Sequence, residues 1–194
     1  MDKYGFRKIN KPLAGELVRA CEDNDFDLAK MLVDEGADVD DKGNLADNTA
    51  LMEASNHGNL AIVQMLINKG ADTNKRDTSG FTALILASAG GKNEVVNLLL
   101  EKGARLDDKN KWGMTALMWA CRNNKVDTVK LLAAKVARLD DKNADGLTAA
   151  DCAENSEHRD IIVKVLEEEM QRRLSPALRR PLAVKLPPKL GGRS

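Results

Sequence analysis

Aromatic side chains are scarce in this chain: Phe, Trp and Tyr make up 3% of its 194 residues. A core made without them must rely on Ala, Leu, Val, Ile and Met, and thin repeated layers suit that diet better than one large globular core. Cysteine is also sparse. Three residues at scattered positions, an odd number, exclude a disulfide framework and point to a reducing compartment. A cytoplasmic location is therefore expected, with nuclear and cytoskeletal settings left open. No apolar run approaches the roughly 20 residues that a membrane span needs. The opening MDKYGFRKINKP has no apolar segment of the kind a secretory signal carries. The two histidines, His57 and His158, stand at no metal-ligand spacing with a cysteine. Gly90-Gly91 follows a helical pattern rather than a strand, so it lacks the context of a phosphate loop. No constellation supports catalysis, and the expectation is of no enzyme activity, no cofactor, no metal and no small-molecule substrate.

What the chain does have is charge, spread unevenly. Basic and acidic side chains number 30 each, yet no acid follows Glu169. Residues 172–194 hold Arg172, Arg173, Arg179, Arg180, Lys185, Lys189 and Arg193, a formal +7, which leaves −7 on the remainder. An acidic body with a basic tail is a common mark of an interaction tail.

It also repeats itself. KGARLDDKN at 102–110 returns as KVARLDDKN at 135–143, a step of 33 residues. Thr49-Ala50-Leu51, Thr82-Ala83-Leu84, Thr115-Ala116-Leu117 and Thr148-Ala149-Ala150 keep the same step. A fixed period of this size is the signature of stacked repeats. Within one unit, Thr82 is placed to cap a short helix, TALILASA. GGKN breaks it, and EVVNLLLEKG forms a second helix with a wide apolar side. The break falls at Asn24, Gly58, Gly91 and Asn124, residues that best tolerate a left-handed backbone. Asp47, Gly80, Gly113 and Gly146 stand two residues before each Thr, which is turn chemistry. The second helix ends at Gly36, Gly70 and Gly103, and then, out of pattern, at Val136. A β-branched residue in a left-handed cap is strained, so Val136→Gly is expected to raise the unfolding midpoint. The Asp40-Asp41, Asp107-Asp108 and Asp140-Asp141 pairs recur at one place in each unit and read as solvated turn residues. Cys21 and Cys121 fall late in first helices and Cys152 earlier in its own, where a small buried residue suits the position.

A helix–turn–helix of 33 residues, with a turn leading to T-x-L-x-x-A, here TALMEAS, TALILAS and TALMWAC, resembles the ankyrin repeat. LLEKGARLDD and MLINKGADTN match its second helix and exit. Ala replaces the family's Pro, and Met or Ile its His. The resemblance implies an all-α solenoid of stacked helix pairs with hairpin tips. The expected repeat domain is 1–174, with units at 13–43 (degenerate), 44–76, 77–109, 110–142 and 143–174 (altered), followed by an extended basic Pro-rich tail at 175–194. The charged end units suit caps, which a repeat array needs. Tyr4 and Phe6 are expected to lie against the first unit.

The resemblance further implies a protein partner on the concave side, made of hairpin tips and the exposed side of first helices. Candidates there are Phe81, Trp112 and Met114 at tips, and Asn56, His57, Trp119, Arg122 and Asn123 on helices. Trp and Arg are enriched at binding hot spots. Trp112, Trp119 and Arg122 are the expected centre, with packing of Trp119 between helices as the competing assignment. The tail, LSPALRRPLAVKLPPKLGGRS, offers Arg179, Arg180, Lys185 and Lys189 as anchors. It suggests two alternatives: a structural subunit of a large assembly held by its tail, or a regulator whose tail contacts nucleic acid or an acidic surface. The tail has no base-stacking aromatics, which argues against sequence-specific nucleic-acid recognition without excluding electrostatic contact. Ser175, after Arg172-Arg173-Leu174, resembles a basophilic phosphorylation site.

Overall fold

A computed structural model of the chain describes residues 13–43, 46–135, 138–153 and 157–173. Ten helices stand among these residues, in five pairs. The first helices are α1 (Leu13–Glu22), α3 (Ala50–His57), α5 (Ala83–Gly90), α7 (Ala116–Arg122) and α9 (Ala149–Cys152). Their partners are α2 (Phe26–Asp34), α4 (Leu60–Asn68), α6 (Asn93–Glu101), α8 (Val126–Lys135) and α10 (Arg159–Arg173). Each first helix packs on the first helix of the next pair, and each second helix on the next second helix, giving two parallel rows. The only β pairing among the described residues is an isolated bridge between Lys42 and Thr49.

Composition explains why the first row packs so closely. Ala20, Ala54, Ala87, Ala120 and Ala153 occupy one column, and each is 0% exposed. Alanine there lets helix backbones approach, which a larger side chain would prevent. The second row carries a matching column of Ala29, Val63, Val96, Val129 and Ile162, also fully buried. The first two alanines are 34 residues apart and the rest 33, so the first unit holds one extra residue, within the connection at 37–46.

The capping threonines sit in extended backbone, and their hydroxyls accept from the N–H groups of Met52, Ile85, Met118 and Asp151 at 3.3 Å. The expected left-handed positions are left-handed. Asn24 and Asn124 have φ of 60°, and Gly58 and Gly91 of 81° and 74°. Gly36, Gly70 and Gly103 also have positive φ, as do Asp47, Gly80, Gly113 and Gly146 before the threonines. Val136, Tyr4 and Phe6 lie outside the described residues.

Between the pairs, the chain forms hairpin tips. Asp77, Asn110 and Asn143 each close a tip: the backbone N–H reaches the carbonyl four residues on, and Oδ1 accepts two further N–H groups. Successive tips are joined by backbone bonds, Thr78 N–H to Ala46, Lys111 N–H to Ser79 and Ala144 N–H to Trp112, at 2.9–3.0 Å. Sequence alone read the Asp pairs as solvated, and that needs correction. Asp108 and Asp141 are largely buried and ion-paired to the preceding unit, Asp108 to Arg76 at 2.7 Å and Asp141 to Lys109 at 3.2 Å.

Candidate functional site

Three columns meet on the side where tips and first helices face solvent together. The residue before each capping Thr gives Phe81, Met114 and Leu147. The tip gives Trp112 and Asp145, and the first helix gives Trp119 and Cys152. With Arg122, Asn143 and Asp151 these residues line a groove of about 790 Å³ across the last three units.

Phe81 is the hub of its floor. Its ring centroid lies 5.9 Å from Trp112, edge to face, and 5.4 Å from Trp119 in a tilted contact. Such geometries exploit the ring quadrupoles in addition to burial. The Arg122 guanidinium carbon lies 5.3 Å from the Trp119 ring centroid, a cation–π distance, and one of its N–H groups reaches Met114 Sδ at 3.9 Å. Trp119 is half-buried against the core, whereas Trp112 is 51% exposed. The competing assignments for Trp119 thus merge: it packs between units and also forms part of the groove wall.

Exposure within the Phe81 column changes along the stack. Phe81 is covered by the next unit's two tryptophans, and Met114 is 4% exposed beneath the last tip. Leu147 is 42% exposed, because no described residue covers it. Asp151 holds the position that buried Met52, Ile85 and Met118 fill elsewhere. Its Oδ2 accepts from both the hydroxyl (2.7 Å) and the backbone N–H (2.8 Å) of Thr148. Those bonds, the hydroxyl's first, hold the Asp151 carboxyl below its ordinary range. Burial pushes the Cys21 and Cys121 thiols up to about 12. Cys152, half-buried in the groove wall, is also raised, chiefly by burial and then by Asp151, with Arg122 opposing.

Of the residues expected from sequence, Phe81, Trp112, Met114, Trp119 and Arg122 come together. Asn123 does not join them; its Nδ2 donates to the Ala89 carbonyl at 3.0 Å and ties two units. Asn56 and His57 end α3, exposed and away from the groove. Ser175, Arg179, Arg180, Lys185 and Lys189 lie outside the described residues. Sequence reasoning missed Asn143, Asp145, Leu147, Asp151 and Cys152. A shift of one period from the candidates Trp112, Met114 and Trp119 finds Asp145, Leu147 and Cys152, whereas Asn143 and Asp151 are the counterparts of Asn110 and Met118, which the sequence did not single out. Among the described residues no group of His, Cys, Asp or Glu is placed to hold a metal, and no helix is long and apolar enough to cross a membrane.

Comparison with known proteins agrees with this architecture. A family model described as "Ankyrin repeats (3 copies)" matches residues 17–110 and again 105–173. The chain belongs to the ankyrin-repeat family, whose repeats are protein-interaction modules and generally non-catalytic. Among curated proteins it is similar to the mouse protein named Ankyrin repeat and SAM domain-containing protein 6, 38% identical over 74 residues. The rat protein of the same name is 36% identical over 74 residues. Each match covers 38% of this chain and 8% of the relative.

Proposed function

We propose that the chain is a non-catalytic adaptor that holds a protein partner in the groove of Phe81, Trp112, Trp119 and Arg122. The observation that carries this reading is the exposed aromatic–cation cluster. It has an apolar floor, a half-exposed Trp112 and a polar edge of Arg122, Asp145 and Asp151. Interfaces are built in this way, with a desolvated aromatic centre inside a polar rim. The free thiols fit a cytoplasmic setting for the adaptor.

The test is affinity purification with the full chain, followed by titration of the partner identified. Trp112→Ala and Arg122→Ala should each weaken that partner about tenfold or more, the scale of a hot-spot loss. Because Trp112 is half-exposed, its variant should stay folded, with an unfolding midpoint lowered only by the loss of its edge contact with Phe81. Asn56→Ala and His57→Ala, outside the groove, should bind normally. Undiminished affinity in folded Trp112→Ala and Arg122→Ala proteins would place the interface elsewhere.

A further inference from the structure

We propose that the groove also takes the chain's own C-terminal segment, residues 178–186, laid over Leu147 with its cations beside Asp145 and Asp151. This rests on the groove reading above and adds regulation to it: a partner must displace the segment.

The first ground is the uncovered end of a packing column. Phe81 is covered by the following unit's tryptophans and Met114 is buried, but Leu147 has no cover among the described residues and stays 42% exposed. An exposed leucine at the end of a groove with an aromatic floor is a seat for another apolar group.

The second ground is charge. Five of the 30 basic residues and none of the 30 acids lie beyond Arg173, so residues 174–194 carry +5 and residues 1–173 carry −5. At the Leu147 end the groove exposes two carboxylates, Asp145 and Asp151. Among the described lining residues the one cation is Arg122, which stacks on Trp119, while Lys142 and Arg159 stand within charge range of Asp151 and leave Asp145 as the carboxylate most open to the segment.

The third ground is pattern. Leu178, Leu182, Val184 and Leu186 are all even-numbered, with Arg180 among them, and Arg179 and Lys185 are odd. In an extended chain, side chains alternate between two sides, so the aliphatic residues would share one. Pro176, Pro181, Pro187 and Pro188 disfavour helix over this stretch.

The fourth ground is reach. Arg173, the last residue of α10, donates from Nη2 to the Ala133 carbonyl near the end of α8. α10 therefore ends beside the end of α8, ten residues before Asn143 of the groove, and Leu182, nine residues beyond Arg173, reaches up to about 32 Å from it in extended chain.

The experiment uses the full chain at low concentration with a benzophenone amino acid in place of Leu182. Irradiation should give a monomer-sized product linking position 182 to residues 112–114 or 145–152. Asp145→Lys, or high salt, should remove most of it, because exposed charges are screened. Both tryptophans of the chain flank the groove, so Arg179→Glu/Arg180→Glu should increase acrylamide quenching of tryptophan fluorescence. Links confined to other surfaces, dimer-sized products, or a yield indifferent to Asp145→Lys would overturn the proposal. The two readings fail separately. With no link at the groove but weaker partner binding by Trp112→Ala, the tail proposal alone falls. With a link at the groove but unaltered partner binding by Trp112→Ala, the partner reading falls and the groove is a seat for the tail.

Discussion

Arg76 and Asp108 belong to different repeats, yet a guanidinium nitrogen of one lies 2.7 Å from the carboxylate of the other. A second guanidinium nitrogen donates to the Lys109 carbonyl at 2.6 Å. One period later Lys109 repeats the arrangement, with Asp141 at 3.2 Å and the Lys142 carbonyl at 3.1 Å. A planar guanidinium serves both acceptors with a fixed fork, and an ammonium does so only as a point charge.

Asp108→Ala should therefore destabilise the protein more than Asp141→Ala. Asp108 is mostly shielded, but Arg76 is 41% exposed, so solvent discounts the pair to about 1 kcal/mol. Urea midpoints and a double-mutant cycle with Arg76→Ala check this. A coupling near zero would mean that the two residues merely stand side by side.

Two glycines of the same backbone class should respond differently to alanine. Gly103 has φ +86° and open space where a Cβ would go, so Gly103→Ala bears only the left-handed penalty of about 1–2 kcal/mol. Gly113 has φ +71°, and a Cβ there would lie 2.8 Å from the Ala144 nitrogen, in the next tip. Gly113→Ala should lose clearly more in thermal unfolding, because backbone on both sides must move. Equal losses would show that the tips are free to separate.

Asp151 gives a pH dependence of known sign. Its folded pKa is lowered by the Thr148 bonds, so the folded state binds its proton less readily than the unfolded chain. The stabilisation is complete above the ordinary aspartate range and disappears as pH falls through the lower folded value. Asp151→Ala should thus show a smaller urea midpoint than wild type at neutral pH, and the gap should close in acid. A gap that persists in acid would assign the loss to something other than the ionised cap.

The three thiols should separate by rate. Cys21 and Cys121 are buried with pKa values pushed up to about 12, so at mildly alkaline pH a thiol reagent should reach them only through unfolding. Cys152, half-buried in the groove wall, should react first, and ligand in the groove should slow it. Uniform labelling of all three in folded protein would contradict the packing of the first helix row.

The period made much of this fold legible. Asn24, Gly58, Gly91 and Asn124 are chemically odd together unless one backbone conformation is required of all four. The threonine column needs only hydroxyl chemistry to be read as caps. What the period does not reveal is lateral pairing. Asp108 and Asn123 look like surface residues within their own units; an aspartate in a turn and an asparagine at a helix end are usually solvated. Their partners, Arg76 and Ala89, are brought near only by stacking. The groove was half legible for the same reason. Tryptophan and arginine announce themselves by type, whereas Leu147 matters because nothing follows to cover it.

The backbone bonds between the described tips run one way: each later tip donates its N–H to the carbonyl of the tip before it. That polarity gives the array a reading direction and makes its joints interchangeable. A second copy of residues 77–109 spliced in after Lys109 would meet the donors and acceptors it left behind, so the array can lengthen by a whole period without a new kind of joint.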